Sequence, residues 1–425
     1  MNGKVNIPIL MYLVSGIWIA VQIVLVFCFW GEPQGSDQGE YMRIAQACFA
    51  AGEWYPMDEH VYSSYIWAPG FINFLILQLK MFGTLNANLL FNLLMNIGIL
   101  LNIYFLGKKF FSQTTASVAV ILWCLLYSNS MIVVPAGTEL PFLFLTLTAF
   151  SCCLHPKVLL ICLAGLLLAL ANWVRPFALI FLIAIVIYML WKKYRWVCYP
   201  ALFVPLFLAV FFIGKMTENK IGYFVYQSTT SGVNLIMTAN DKAYGGVATS
   251  ILRDSTSRAY IENKEELTFK EKDSIWKARS FEWIKEHPVK FAYLYIKKIG
   301  GLYIEDSWSD RPVLGGSGFV DSYVVGKKVS DNTFLIRAAK MGLKSLVYYF
   351  VLVLFVYSLF VNRKELFSIK AVLIALLLLG TFSTCLFAVS PRYHYPFLFV
   401  IVLFAGYGVE AYLGKKKTGL NEKPY

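Results

Sequence analysis

Long apolar runs constrain this chain more than any other feature. A membrane-spanning helix needs about 20 mainly apolar residues, and ten runs in the sequence approach that length. Because 58% of the 425 residues are apolar and only 15% are charged, a soluble core could not bury the apolar surface. The sequence therefore predicts an all-α, polytopic membrane protein. The predicted spans lie near 8–30, 88–106, 115–134, 138–154, 157–173, 176–191, 196–214, 342–361, 369–388 and 395–413.

Basic residues on alternate loops give the predicted orientation. Cytoplasmic loops carry an excess of Lys and Arg, and an inside N-terminus places clusters such as 192–195 and 415–417 on the cytoplasmic side. We therefore expect a cell-membrane protein with both termini in the cytoplasm and its polar chemistry on the extracytoplasmic side. The net charge of +13 then reflects membrane orientation rather than binding to nucleic acid.

The spans divide the chain into four regions. They are a first transmembrane region at 1–214 with an outer loop at 31–87, an extracytoplasmic segment at 215–340, C-terminal transmembrane helices at 341–413, and a basic cytoplasmic tail at 414–425. Within the first outer loop, the run 67–83 is short and contains several polar residues. We interpret it as a re-entrant or interfacial helix on the outer side.

Asp37 is the candidate catalytic residue. It opens a predicted helix over 37–51, in which Tyr41, Ile44 and Cys48 recur at the spacing of one helical face. A structural interpretation is also open, because Asp37 and Glu40 fit a capping box with Asp37 as N-cap. The two interpretations are compatible, since a carboxylate held at a membrane surface can act as a general base toward an acceptor hydroxyl or amine.

Arg175 and Arg392 are the candidate cations. Both lie between spans on the outer side, opposite to the charge rule. Arginine binds phosphate through two parallel hydrogen bonds, which would explain their position. The alternative is that each snorkels or pairs with an acidic residue of the first outer loop. Glu139 begins a span, where it either positions substrate, pairs with an arginine or stabilises the helix dipole.

A divalent metal is compatible with the sequence, although no cofactor is required by it. Asp58, Glu59 and His60 are weak candidate ligands together with Asp37, and a solvated turn is the alternative. The sequence contains no Walker A, GxGxxG, HExxH or GxSxG motif. A nucleotide-sugar enzyme of the Rossmann type is therefore disfavoured.

Several short pieces of the chain stand in an informative order and spacing. They are Asp37 with Tyr41, the segment 68–71 running to 83, the segments 171–176, 232–240 and 282–288, and Pro391, Arg392 and Tyr393. Together they resemble the GT-C glycosyltransferases of the bacterial protein-mannosyltransferase-like group, which includes the aminoarabinose transferase of lipid A. The resemblance covers nearly the whole chain. It departs from the group at Ala68, where relatives often have proline, and in the absence of a clear second carboxylate.

The resemblance implies a bundle of about ten transmembrane helices with interfacial helices on its outer face and one long outer segment. It implies a polyprenyl-phosphate-linked sugar donor, a lipid, glycan or protein acceptor, and inverting transfer at the outer face of the membrane. Asp37 would be the catalytic base and Arg392 a contact of the donor phosphate. Arg175, Glu139, Tyr41 and Tyr393 would be further substrate-binding residues.

Two other functions remain open. Ten spans permit a transporter or a flippase of lipid-linked glycans, but transporters usually carry ionisable residues near the bilayer midplane. Here the spans are almost free of them, and the polar residues collect on one face. An envelope glycan polymerase or ligase would also use a lipid-linked donor, and only the identity of the donor would distinguish it.

Overall fold

The described chain is helical. A computed structural model of the protein describes residues 6–57, 65–314 and 331–421, without the side chains of 331–334 and 415–421. Within these residues the only β structure is an isolated parallel bridge between Gly246 and Val389. The all-α class expected from the sequence is confirmed.

The helices follow the apolar runs closely. The first half of the chain forms α1 (Ile7–Cys28), α2 (Ser36–Ala50), α3 (Pro69–Phe82), α4 (Ala87–Phe110), α5 (Gln113–Leu125), α6 (Tyr127–Met131), α7 (Glu139–Cys153), α8 (Val158–Val174) and α9 (Ala178–Trp191). The second half forms α10 (Cys198–Ile221), α11 (Ser231–Ile236), α12 (Phe269–Glu286), α13 (Pro288–Tyr303), α14 (Arg311–Leu314), α15 (Asp331–Lys344), α16 (Leu346–Val361), α17 (Ala371–Thr384) and α18 (Tyr395–Asn421). Short 3₁₀ turns lie at Thr249–Leu252, Lys264–Glu266, Arg363–Glu365 and Pro391–His394.

Several of these helices are long enough to cross a membrane. Among the described residues, α1, α4, α10 and the stretch Pro391–Gly414 pass on length and hydropathy, and α15 and α16 pass together as a pair bent by 58°. The remaining apolar helices, including α5 and α7 to α9, have 10–17 residues. The chain is thus a multi-pass membrane protein. Each predicted span contains an apolar helix, and the number of ten spans stays a prediction.

The third predicted span, 115–134, is wrong as a continuous helix. α5 ends at Leu125, Leu126 is extended, and α6 begins at Tyr127. At the break the carbonyl of Trp123 accepts from the amide of Leu126 at 3.3 Å and also from Nδ2 of Asn129 at 2.9 Å. A polar side chain inside the apolar run therefore supplements the helical hydrogen bonds that are lost there.

Buried amides hold the irregular segment that follows the break. Asn92 on α4 donates to the carbonyls of Val133 and Pro135, both at 3.0 Å. Asn96, one turn further along α4, donates to Gln22 on α1 at 2.9 Å. Non-helical backbone at membrane depth is tolerated only where protein satisfies its polar groups. The side-chain amide of Asn92 satisfies two carbonyls of the segment 132–138, and this fixes the backbone that leads into α7.

α18 is the centre of the bundle. Residues 397–405 are each at most 2% exposed, and α18 packs against α5 and α16. In contrast, α1 and α10 present large apolar side chains at the surface, among them Phe27 and Phe212, as expected for helices that face lipid. The N-terminal end of the central helix is therefore enclosed, and the turn Pro391–His394 directly precedes it.

Candidate active site

Four charged side chains predicted as site residues come together. The guanidinium of Arg392 donates through Nη2 to Oδ2 of Asp37. The guanidinium of Arg175 donates through Nη1 to Oε1 of Glu139 at 2.9 Å. Nε of Arg392 lies 3.9 Å from that same Oε1. These residues, named here the charged quartet, form one connected network with a formal net charge of zero.

Two tyrosines enclose the charged quartet. The ring of Tyr393 lies 5.0 Å from Cζ of Arg175 and 5.3 Å from Cζ of Arg392, so its π face is shared by both cations. Tyr41 is buried, and this burial raises the pKa of its phenol well above the usual value, with a further increase from the nearby Asp37 carboxylate. Tyr41 therefore stays protonated, and its predicted contact with substrate stays a prediction.

An aromatic wall lies behind Tyr41. Its ring meets Trp67 edge-on at 5.4 Å and Phe71 edge-on at 5.6 Å. Tyr65 lies beside Trp67, and burial followed by the charge of Asp37 raises the pKa of Tyr65 to about 12. The segment leading into α3 thus forms one apolar side of the site.

Gln34 fixes the position of Asp37 relative to Glu139. Its side chain donates to the carbonyl of Val134 at 3.1 Å and accepts from the amide of Ala136 at 2.7 Å. The loop that precedes α2 is thereby fastened to the loop that precedes α7. This places Asp37, the second residue of α2, opposite Glu139, the first residue of α7.

The capping-box interpretation of Asp37 is wrong. α2 has Gly35 as its N-cap residue, with no side-chain cap hydrogen bond, and Glu40 instead pairs with Arg43 at 2.6 Å. Because Gly35 occupies the N-cap position, Asp37 lies inside the first turn and its carboxylate accepts from Arg392 instead. Ser36, just before it, has a φ of 58°, an unfavourable conformation for a side-chain-bearing residue and one that recurs at functional sites.

Close packing of α3 places Arg175. A Cβ at Gly70 would lie 2.7 Å from the carbonyl carbon of Trp173 and 2.8 Å from the amide nitrogen of Val174, so only glycine permits this approach. Arg175 caps the C-terminal end of α8, where its amide donates to Ala171 at 2.8 Å. The segments 68–71 and 171–176 of the sequence therefore pack directly against each other.

The outer segment holds the turn that carries Arg392. The amide of Ala388 donates to the carbonyl of Asn234 at 3.2 Å, and the amide of Val389 donates to the carbonyl of Gly245 at 3.2 Å. The 3₁₀ turn Pro391–His394 then follows. The piece at 232–240 thus supports the approach to Arg392 rather than the charged network itself.

The metal-site prediction is not tested. Asp58, Glu59 and His60 lie outside the described residues. Within the described ranges, no three His, Cys, Asp or Glu side chains are grouped so that they could hold a metal ion. Asp37 and Glu139 each face arginine, which is a poor surrounding for a divalent cation.

Sequence reasoning missed a second charged region beside the site. Glu305, Asp306 and Asp310, named here the acidic segment, are 0%, 0% and 4% exposed. Glu305 pairs with Arg311, and Asp310 pairs with Lys344. The signal was present in the sequence, because three carboxylates within six residues follow directly on an apolar helix. Such a concentration of acids needs partners when it is buried.

The chain is similar to solved membrane transferases. It aligns with the oligosaccharyltransferase of Archaeoglobus fulgidus in its apo form at a TM-score of 0.53 and 13% identity, over 95% of this chain and 51% of that chain. It also aligns with ArnT of Cupriavidus metallidurans, in the apo state at 0.46 and 12% identity over 95% and 62% of the two chains. ArnT bound to undecaprenyl phosphate aligns at 0.40 and 12% identity over 97% and 81%.

These comparisons define the class of fold. The chain has the GT-C fold, which confirms the expectation from the sequence. It spans 62% of the length of ArnT and about half the length of the oligosaccharyltransferase. No protein-family model matches the sequence, and no curated protein matches it. At this level of identity the likeness establishes the architecture alone, and the function is argued from the site.

Proposed function

We propose that the protein is a membrane glycosyltransferase that moves a sugar from a polyprenyl-phosphate-linked donor to an envelope acceptor at the outer face of the cell membrane. The observation that carries the proposal is the ion pair between Asp37 and Arg392, whose residues are 355 positions apart. It joins a candidate base to a candidate phosphate ligand within a GT-C fold. The likeness to an oligosaccharyltransferase supports this class of reaction.

The proposed reaction is a single inverting displacement. The acceptor oxygen or nitrogen forms a bond with the anomeric carbon while the bond between that carbon and the phosphate oxygen breaks. Asp37 takes the proton of the acceptor, and the electron pair of the broken bond leaves on polyprenyl phosphate. Inversion requires the base and the leaving group on opposite faces of the sugar. Arg392 neutralises the charge that develops on the leaving phosphate.

The ion pair between Asp37 and Arg392 would couple binding of the donor phosphate to activation of the base. Asp37 and Arg392 are 29% and 22% exposed, so a donor phosphate can reach the guanidinium. A phosphate competes with a carboxylate for the same bidentate face. When it takes Arg392, the Asp37 carboxylate is released toward the acceptor. Glu139 and Arg175 remain paired and keep the second cation in place.

The first prediction concerns Asp37→Asn. This change keeps the shape of the side chain and removes its capacity to accept a proton, so transfer falls by at least about 100-fold. The readout is mass spectrometry of polyprenyl-phosphate sugars and envelope glycans in membranes from cells that express each variant equally. The variant accumulates one lipid-linked sugar and loses one glycan modification.

Glu40→Gln is the matched control, because Glu40 is a partly exposed carboxylate on the same helix whose ion pair among the described residues is with Arg43. It retains the wild-type glycan profile. If Asp37→Asn also retains that profile while inserting normally, Asp37 is not the base. Ion-dependent uptake of solute into vesicles would then favour the transporter. Accumulation of a lipid-linked chain of many sugars would favour a polymerase or ligase.

A further inference from the structure

α13 carries a row of exposed apolar side chains. Val289, Tyr293 and Ile296 are 81%, 64% and 70% exposed, and they recur at the spacing of one helical face. Ala292 and Gly300 lie on the same face and are also exposed. These five residues are named here the apolar face of α13. A continuous apolar surface of this kind marks a site of interaction with a protein or a membrane.

The preceding helix has a different surface. α12 ends at Glu286, and α13 begins at Pro288. Most of the exposed residues of α12 are polar or charged, among them Lys270, Glu271, Ser274, Glu282, Lys285 and Glu286. Such a surface is typical of a helix in water. The apolar surface therefore belongs to α13 and not to the extracytoplasmic segment as a whole.

The opposite side of α13 is anchored to α17. The ring of Tyr295 stacks on Phe382 with centroids 6.5 Å apart, and its hydroxyl donates to the carbonyl of Phe382 at 2.7 Å. The hydroxyls of Tyr303 and Thr381 lie 2.6 Å apart. These contacts fix α13 against the C-terminal end of an apolar helix of the bundle, so the depth of α17 in the membrane sets the depth of α13.

The apolar face of α13 is continuous with an exposed stripe on α17. Leu378 and Phe382 lie one turn apart and are 48% and 47% exposed, and Leu386, just after the helix, is 46% exposed. An exposed apolar stripe on a bundle helix of a multi-pass membrane protein meets acyl chains. Because Phe382 belongs to this stripe and also stacks on Tyr295, the lipid that covers α17 extends to α13.

We propose that α13 is an interfacial helix whose apolar face enters the outer leaflet of the bilayer. An interfacial helix places its apolar side chains about 5–10 Å into the boundary between headgroups and acyl chains, with basic residues toward the headgroups. Lys297 is exposed next to Ile296, where it can meet anionic headgroups. Tyr293 lies within the face, and tyrosine is enriched at this boundary.

The position of α13 also sets the depth of Arg392, and this part of the inference rests on the proposed function. The carbonyl oxygen of Leu302 lies 2.8 Å from Nδ1 of His394, in the turn Pro391–His394. Leu302 also packs with Val389, just before this turn. A helix that lies in the headgroup boundary therefore holds Arg392 at the level of the lipid phosphates, where a phosphate-linked donor presents its charged group.

Fluorescence quenching tests the contact with lipid. A fluorescent amino acid is placed at Ile296 of the full-length protein, in nanodiscs whose lipids carry bromine near the headgroup end or near the terminus of the acyl chains. We expect strong quenching at this position by the headgroup-end bromine, weaker quenching by the terminal bromine, and little by aqueous iodide. Phe207 of α10, 61% exposed, is the control for deep lipid, and Glu265, with a side chain 85% exposed, is the control for water.

Three results would overturn the interfacial position. Quenching at Ile296 by iodide alone would place the face in water. Quenching by neither agent would assign the face to a protein partner, such as a second copy of this chain. Stronger quenching by the terminal bromine would make α13 a membrane-inserted helix. The same label at Val289, on the same face, keeps the test decisive where a label at Ile296 prevents folding.

A second measurement separates the depth of Arg392 from the stability of the fold. The double variant Val289→Gln with Ile296→Gln removes the contact with lipid and keeps the anchored side of α13. Its affinity for undecaprenyl phosphate falls several-fold in nanodiscs and stays at the wild-type level in detergent micelles, where no planar headgroup layer fixes the depth. Phe281→Gln changes an exposed apolar residue of α12 and keeps the wild-type affinity in both media.

The outcomes distinguish the two proposals. If the wild type binds undecaprenyl phosphate and the double variant binds it equally well in nanodiscs, or loses affinity equally in both media, the depth role is overturned and the proposed function stands. If the wild type binds none in either medium, the proposed donor class fails and the depth role fails with it. The quenching result then still decides whether α13 lies in the membrane interface.

Discussion

The charged quartet and the acidic segment solve the problem of buried charge in different ways. In the quartet, Glu139 faces two arginines and Asp37 shares one of them, so the partners can be exchanged. In the acidic segment, each carboxylate has a partner of its own. Asp310 also accepts from the hydroxyl of Tyr127 at 2.6 Å, and Asp306 from the amide of Ser128.

Exposure separates the two regions as well. Asp37 and Arg392 are partly open, whereas Glu305 and Asp306 have no exposed surface. A buried ion pair contributes little net stability, but the loss of one partner costs about 3–5 kcal/mol because a charge is left uncompensated. The difference teaches that every charge of the acidic segment is enclosed, whereas the Asp37–Arg392 side of the quartet is open to a further anion, as the proposed function requires.

The largest expected effect would come from Glu139→Gln. It leaves the buried Arg175 without its carboxylate, so the free energy of unfolding falls by about 3–5 kcal/mol. Donor affinity also changes, because Arg392 loses a neighbour that orients it. Thermal unfolding of the purified protein and transfer per folded molecule are measured together. In Asp310→Asn stability falls by about 1–3 kcal/mol, with transfer per folded molecule unchanged. An equal loss of transfer per folded molecule in both variants would show that the quartet and the acidic segment do not differ in function.

An intermediate effect is expected from Gly70→Ala. The added methyl group meets the backbone at Trp173 and Val174, so α3 moves away from the end of α8, at a cost of about 1–3 kcal/mol. Arg175 shifts with it, and transfer declines several-fold. Gly16→Ala is the matched control, because nothing lies within 4 Å of the new Cβ in α1. The unfolding temperature and the transfer rate of both variants are measured. A wild-type transfer rate in Gly70→Ala would show that the close contact between α3 and the end of α8 does not position Arg175.

The smallest effect concerns Lys298, a buried cation on α13 that has no carboxylate partner among the described residues. It is 1% exposed, its Nζ has no hydrogen-bond acceptor within the described protein, and burial lowers its pKa to about 8. Above that pH the folded protein has lost a proton that the unfolded chain retains up to about pH 10.4. Stability therefore rises with pH between these two values.

Lys298→Met removes this dependence. The variant is more stable than the wild type by about 1–2 kcal/mol at pH 7, since the desolvation cost outweighs the lost contacts with Phe291 and Tyr295. Thermal unfolding between pH 7 and 10 checks the result. A rise with pH that persists unchanged in Lys298→Met would assign it to another group.

Much of the charged quartet could be predicted from sequence because its members break a local rule. In the predicted orientation Arg175 and Arg392 lie on the outer side, against the charge rule, and Asp37 and Glu139 lie in the first turns of helices next to apolar runs. A charged residue next to an apolar run is costly to bury, and such a residue can be recognised from the local sequence alone. Pairing of these acids with the arginines was one of the alternatives that the sequence left open. It could not be selected from the sequence, because Glu139 was equally consistent with a helix dipole and Asp37 with an N-cap.

The acidic segment and the break at Leu126 could not be predicted from the sequence. The run 115–134 is apolar enough for one helix, and nothing local marks Ser128 as the donor for a carboxylate 178 residues away. Likewise, Gln34 gives no sign of joining two loops. These contacts depend on how the helices pack, and a hydrogen-bond partner that is distant in sequence leaves no periodic signal.

The sequence by itself determined the class of this protein. Long apolar runs cannot remain in water, and helices satisfy their own backbone in lipid, so a helical membrane bundle follows from hydropathy alone. Only the tertiary structure decided which charges meet. Buried ions need partners at distances of a few ångströms, and that requirement selects among pairs only after α2, α7, α8 and α18 have been brought to one place.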